Sequence, residues 1–454
     1  MPQSKFFIRK SDSKGTKRKK TGKNIPNKSK KKNEKPNPMQ ENISSDEESI
    51  SGNEKGYPED FSSDEETEQE KKLRLTKKYL AQIEREEQDK NVGDDTKAAV
   101  AQRLKDEVLE DAGRLQKKKA HEYENIVPEV AHVFKGHNLS VTCVVVSSTE
   151  KFFFSGSKDC SIIKWSIEEK KKLKIVQGGK KQSSSGHGQI LALALSSDDK
   201  FLASGCSNKI INIWNPDTME LLKTFRGHKD AISGLVFEKN SHQLISASND
   251  RSLKLWNLDE MGYVETLFGH QDAITGVDCF LGEIALTSGG RDNTVRIWKI
   301  VEESQLVFQG YGASIDCVCV SSYQSFVSGG DDGTLLFWGT QKKKPMSKVL
   351  QAHGSDPESE EPNWIITLCS LQNTDLLASG SKDGFIRLWR RDDDSHTLVP
   401  ISRIPVSGFV NTMQFTPSGS YLIAGVGQEH KLGRWWKIKE SKNSIVLFSW
   451  KNKS

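Results

Sequence analysis

The chain of 454 residues has no apolar run near the roughly 18 residues that a membrane-spanning helix needs, and its basic, polar start lacks the apolar core of a signal peptide. Those absences predict a soluble intracellular protein with no membrane partner. Cysteine is sparse. Cys143, Cys279, Cys317, Cys319 and Cys369 fall in apolar alternating strings such as VTCVVV and IDCVCV, where they read as small core residues in a reducing compartment. Cys317 and Cys319 share one face of a strand, but no second pair and no Cys/His partner stands at ligand spacing, so no metal site is expected. Also missing are a phosphate-cradling Gly-rich Lys loop, a paired metal-ligand His motif and a Gly-flanked nucleophilic Ser. These gaps argue against an enzyme, a cofactor or a small-molecule substrate. Residues 1–70 have too few large apolar side chains to offset the entropy of ordering, which predicts a disordered tail.

What the chain does have is a period. Tryptophans recur at Trp165, Trp214, Trp256, Trp298, Trp338, Trp389 and Trp435, with gaps of 49, 42, 42, 40, 51 and 46 residues. Six residues before each stands Asp159, Asn208, Asp250, Asp292, Asp332, Asp383 or Glu429, and four before the first six of those stands a Ser, from Ser155 to Ser379. A Gly-His pair precedes this pattern at His137, His187, His228 and His270, and Ala352-His353 takes its place in the sixth repeat. Strand-like alternation with Gly/Asp/Asn turns begins at about residue 127. A repeat of this length, opened by His and closed by a Trp-bearing strand, is the signature of a WD40 β-propeller with one four-stranded blade per repeat. The expected fold class is therefore all-β: a seven-bladed propeller over residues 127–454, preceded by a disordered charged tail (1–70) and a charged helical segment (71–126). Either residues 130–134 or residues 444–449 could supply the strand that closes the last blade.

Within a blade the repeated polar residues should hydrogen-bond in series across the sheet. The expected sets are His137, Ser155, Asp159 and Trp165; His228, Ser246, Asp250 and Trp256; His270, Ser288, Asp292 and Trp298; and His353, Ser379, Asp383 and Trp389. A Ser/His/Asp grouping invites a catalytic reading, but repetition in every blade marks it as structural. Blade two has Asn208 for Asp, blade five has Gly310-Tyr311 at the His position, and blade seven lacks both His and Ser. Beside the Asp-bearing turns stand Lys158, Lys209, Arg251, Arg291 and Lys382, five cations that could ring one rim and meet phosphates; the alternative is five exposed turn residues. An insertion before Trp364 carries Asp356, Glu358, Glu360 and Glu361, which favours a protein partner on that side.

Charge is segregated along the tail. Residues 1–35 hold 14 Lys/Arg against 2 Asp/Glu, and residues 41–70 hold 12 acids against 1 base. The clusters Lys17, Arg18, Lys19, Lys20 and Lys28, Lys30, Lys31, Lys32 read as a bipartite nuclear or nucleolar address, with a merely solubilising tail as the alternative. Ser44 and Ser45, then Ser62 and Ser63, each precede Asp-Glu-Glu and are candidate sites for an acidophilic kinase. Two helices are expected at about 70–88 and 95–119, broken near Asn91-Val92-Gly93, with Leu104 and Val108 on an apolar stripe that suggests docking on the propeller or on a partner; a solvated charged helix that docks nowhere is the alternative.

Several local strings go further. Leu73-Arg74-Leu75-Thr76-Lys77-Lys78-Tyr79-Leu80, then Gln102-Arg103-Leu104 leading into Val133-Phe134-Lys135-Gly136-His137, and the turns Ser155-Gly156-Ser157-Lys158-Asp159 and Ser379-Gly380-Ser381-Lys382-Asp383-Gly384 resemble the U3 small nucleolar RNA-interacting WD40 family. The resemblance extends over essentially the whole chain. It implies a non-enzymatic nucleolar subunit of the small-subunit processome. Such a subunit binds the box B/C region of U3 snoRNA beside a kink-turn-binding protein and supports pre-rRNA processing and 40S biogenesis. A nuclear WD40 adaptor that reads a peptide in a ubiquitin-ligase or chromatin complex is the competing reading.

Overall fold

The computed structural model describes residues 68–90, 96–111, 114–124, 128–178, 186–356, 360–433 and 436–450. The basic clusters from Lys17 to Lys32, the serines Ser44, Ser45, Ser62 and Ser63, the expected helix break at 91–93, Glu358 and Trp435 lie outside the described residues. The chain divides into two units between Thr76 and Lys77. Among the described residues no helix is long and apolar enough to cross a membrane.

Two helices precede the sheets, α1 (Glu68–Lys90) and α2 (Thr96–Asp111). Tyr79 Oη donates to Glu107 Oε2 and joins them; Ile83 and Val100 are buried while Val108 stays exposed, so the apolar stripe is only partly covered. The second helix stops at Asp111 instead of reaching 119. The chain beyond it is captured by the propeller: Lys117 forms a β-bridge with Thr374, and the amides of Lys119 and Ala120 both donate to Asp375 Oδ1, at 2.8 and 2.9 Å. A single 3-10 turn, Ala120–Tyr123, follows and buries both of its end residues.

Seven four-stranded antiparallel sheets then form the ring, each with an inner, a second, a third and an outer strand. The inner strands of five blades carry a register irregularity at the same point, as between Val141 and Cys143 or between Ile232 and Gly234. A repeated bulge adds local twist where the strand lines the central channel. The Gly of each Ser-Gly pair on the second strand has a packing reason. A Cβ at Gly156, Gly205 or Gly380 would sit 2.5, 2.6 or 2.7 Å from Ile190, Ile232 or Val410 on the next blade's inner strand, so glycine sets how closely successive blades stack.

The ring is closed by both ends of the repeat region. The outer strand of blade seven is Glu129–Phe134, which pairs antiparallel with the third strand Ser444–Ser449, so that the two candidate closing segments occupy adjacent places in one sheet. This arrangement moves the seventh repeat off the tryptophan period. Opposite Phe153, Leu202, Leu244, Ala285, Phe326 and Leu377 of the second strands stand Trp165, Trp214, Trp256, Trp298, Trp338 and Trp389 in blades one to six, but opposite Leu422 of blade seven stands Phe448. Where the other blades hold the indole-binding hydroxyl, blade seven has Ala424. An apolar ring without a hydroxyl partner leaves no buried donor unpaired. Residues 428–443, which include Trp435, are an insert between the second and third strands.

Candidate nucleic-acid interface

Antiparallel connectivity sends the second-to-third turns and the outer-to-inner connections to one rim, and the remaining connections to the other. The first rim carries the His and Asp of the blades that have them. In blade three His228 Nδ1 lies 2.9 Å from Asp250 Oδ2, His228 Nε2 lies 2.8 Å from Ser246 Oγ, and Trp256 Nε1 donates to the same Ser246 Oγ at 2.9 Å. Blade six repeats this with His353, Asp383, Ser379 and Trp389. In blade one His137 reaches Ser155 directly, but its other nitrogen contacts Ser161 Oγ at 2.8 Å, and that hydroxyl donates to Asp159 at 2.5 Å. Burial alone would raise the Asp159 carboxyl, yet His137, whose Nδ1 lies 3.4 Å from Oδ2, and the Ser161 bond outweigh that and hold it well below the usual carboxylate range. Asp250 is brought down to about 2: burial again opposes the shift, and bonds from Ser252, the Lys229 amide and His228 overcome it.

Blade four corrects one expected residue. The hydroxyl between His270 and Trp298 is that of Thr287, at 2.8 Å from each, and not that of Ser288. Ser288 turns instead to Thr275 Oγ1 at 2.8 Å. The turn that follows holds one more residue than its counterparts, with Gly290 at φ +36°, so counting back four residues from Asp292 lands one place too late. Blade two keeps the Trp214 to Ser204 bond, but His187 Nε2 contacts the Cys160 carbonyl, and Asn208 caps the Gly186 carbonyl. In blade five Trp338 still donates to Ser328.

The five cations beside these turns separate into two groups. Lys209, Arg251 and Arg291 are exposed on the consecutive blades two, three and four, and among the described residues none makes a side-chain hydrogen bond or ion pair. Lys158 and Lys382 are engaged. The buried Lys158 ammonium donates to the Gly433 carbonyl at 3.0 Å and to that of His430, and lies 3.9 Å from Glu429. Lys382 pairs with Asp356 at 2.7 Å and lies over the Trp436 ring at 5.1 Å. Lys158 therefore holds the blade-seven insert on the rim, and Lys382 joins that insert to the acidic blade-six insertion.

That insert is the feature the period concealed. Trp364 of blade six packs 4.9 Å from His430 and edge-on to Trp436 at 5.1 Å, while Trp436 and Leu432 remain half exposed or more. Lys437, Lys439 and Lys442 stand exposed on the same insert. Burial, with Lys431 and Lys158 nearby, lowers His430 to about 3, so its ring is a neutral packing element. The string Lys431-Leu432-Gly433-Arg434-Trp435-Trp436-Lys437 carried a basic and aromatic signal in the sequence, but Trp435 kept the repeat spacing and so read as a blade strand. Exposed lysines beside the half-exposed Trp436 ring form a surface able to neutralise phosphates. Among the described residues no group of His, Cys, Asp or Glu could hold a metal ion, and burial pushes the Cys317 thiol up to about 12.

The WD domain, G-beta repeat model matches residues 128–166, 178–215, 219–257, 262–299, 302–339 and 347–390. The chain is 53% identical over 388 residues to human U3 small nucleolar RNA-interacting protein 2, covering 84% of this chain and 82% of that one. The chain belongs to the U3 small nucleolar RNA-interacting WD40 family. Ribosomal RNA-processing protein 9 of Saccharomyces cerevisiae is 24% identical, over 76% of this chain and 78% of its own length. The solved structure described as the crystal structure of RRP9 WD40 repeats superposes with a TM-score of 0.69 at 48% identity, covering 72% of this chain and 99% of that one. Like the family, the chain is a non-catalytic scaffold.

Proposed function

We propose that this protein is a WD40 component of the U3 small nucleolar ribonucleoprotein. In this reading it binds the box B/C region of U3 snoRNA together with a kink-turn-binding protein and supports pre-rRNA processing and 40S assembly in the nucleolus. The carrying observation is the arc of Lys209, Arg251 and Arg291, three exposed cations on successive blades without protein partners among the described residues. Cations on successive blades of one rim sum to a positive potential that attracts a polyanion. The kinship to proteins named for U3 RNA interaction and for ribosomal RNA processing points to which polyanion. Asp356, Glu360 and Glu361 on the blade-six insertion repel RNA locally and fit the protein member of a composite surface. The polybasic clusters Lys17 to Lys20 and Lys28 to Lys32 fit the nucleolar address, and Ser44, Ser45, Ser62 and Ser63 fit phosphorylation that deepens the acidic block.

Reversing Arg251 and Arg291 to Glu should weaken binding to U3 snoRNA and flatten its salt dependence by about one unit of log–log slope per lost phosphate contact. Electrophoretic mobility shifts across a salt series measure both. Unchanged affinity and slope would return the weight to a peptide-reading adaptor.

A further inference from the structure

Two exposed aromatics stand on the same rim, outside the repeated polar sets. Phe268 is the last residue of blade three's outer strand and is paired in register with Ser252, the residue after Arg251; it is 73% exposed. The same register position holds Gln177 in blade one, Arg226 in blade two and Gln309 in blade four, all polar as an exposed strand end should be. Tyr311 occupies the place where other repeats bury a His, and it is 56% exposed. Gly312 at φ +84° follows it, a left-handed turn that suits glycine. The Gly310 amide donates to the Asn293 carbonyl at 2.8 Å, which ties this loop to the turn bearing Arg291. Lys348 Nζ lies 5.4 Å from the Tyr311 ring centroid.

Each aromatic thus stands beside one of the unpartnered rim cations, one blade apart, with Lys209 and the exposed Arg226 continuing the positive charge on blade two. At the far end Asp331 and Gly333 flank Asp332, where the other turns of this kind carry a Lys or Arg. The positive track therefore ends at Tyr311. Flat rings set singly among cations suit bases, whose π-faces stack without regard to sequence; a peptide hot spot would need a desolvated apolar pocket around each ring.

We propose that Phe268 and Tyr311 are stacking platforms for unpaired nucleotides of a single RNA strand that follows the rim from blade two to blade five, its phosphates meeting the neighbouring cations. This rests on the RNA-binding reading above and adds to it that the rim takes single-stranded RNA. The test uses the full chain and fluorescence polarisation with a fluorescein-labelled oligouridine, and with a blunt RNA duplex of equal length as control. Phe268→Ala and Tyr311→Ala should each weaken oligouridine binding by about fivefold to hundredfold, while Phe268→Tyr and Tyr311→Trp retain it. Duplex binding should be indifferent to all four and sensitive to Arg251→Glu with Arg291→Glu. If the alanine variants bind oligouridine like the parent while the charge reversals bind poorly, stacking is overturned and the cationic rim stands. Aromatic replacements that fail as badly as alanine also overturn stacking. Charge reversals with no effect on either RNA would remove both readings.

Discussion

In each of the first six blades one hydroxyl accepts from the Trp indole, and in four of them it also meets a buried imidazole, so its removal there leaves two polar groups without partners. Thr287 holds that place between His270 and Trp298. Thr287→Ala should cost about 1–3 kcal/mol, with Thr287→Ser much milder. Ser288→Ala should cost less than Thr287→Ala, because Thr275 keeps the Ile315 carbonyl at 2.6 Å as an acceptor. Urea denaturation of the three variants checks the order, and a Ser288→Ala loss exceeding that of Thr287→Ala would contradict the assignment. The identities of the Trp, His and Asp were readable from spacing because turn length is nearly constant among the blades. Where a turn gains a residue, as after Ser288, or a blade gains an insert, as after Gly427, counting along the chain loses the spatial register.

Among the elements, the blade-seven insert depends on a neutral His430 packed against Trp364. Its value is lowered to about 3 from the ordinary 6.5, so as pH falls below 6.5 a released histidine takes up a proton that the packed one refuses. Packing is then lost progressively down toward pH 3, and it is fully present above 6.5. Amide hydrogen exchange over residues 428–443 should accelerate between pH 7 and pH 5, after correction for intrinsic rates, relative to the blade strands. His430→Phe should abolish that difference. No periodicity announces such an element. The helices show a related effect: Lys117, Lys118 and Lys119 favour a helix end by local charge, but Asp375 and Thr374 draw this stretch onto the propeller, and tertiary hydrogen bonds outweigh helix propensity.

For the molecule as a whole, closure is the decisive property. Tyr123 donates to the Gly419 carbonyl and meets Trp450 edge-on at 4.9 Å, so residues 114–124 brace blade seven from outside the repeats. A chain beginning at residue 128 should keep seven blades but lose at least about 2 kcal/mol through the lost burial of Tyr123 and Ala120 and the unpaired Asp375. A chain beginning at residue 135 also lacks the strand Glu129–Phe134, which bares the edge of Ser444–Ser449, and it should self-associate. Thermal melting and light scattering distinguish these two outcomes; a closed, monomeric protein from the shorter chain would show that the outer strand is dispensable. By itself the sequence determined the number of blades, the buried polar sets of blades one, three and six and the charge of the tail, because these depend on residue type at short, regular spacings. Only the tertiary structure decided which strand closes the ring, that Phe448 rather than Trp435 completes blade seven, and which rim cations face solvent. Those outcomes depend on contacts between residues hundreds of positions apart, where competition for hydrogen-bond partners and buried space, not local pattern, sets the result.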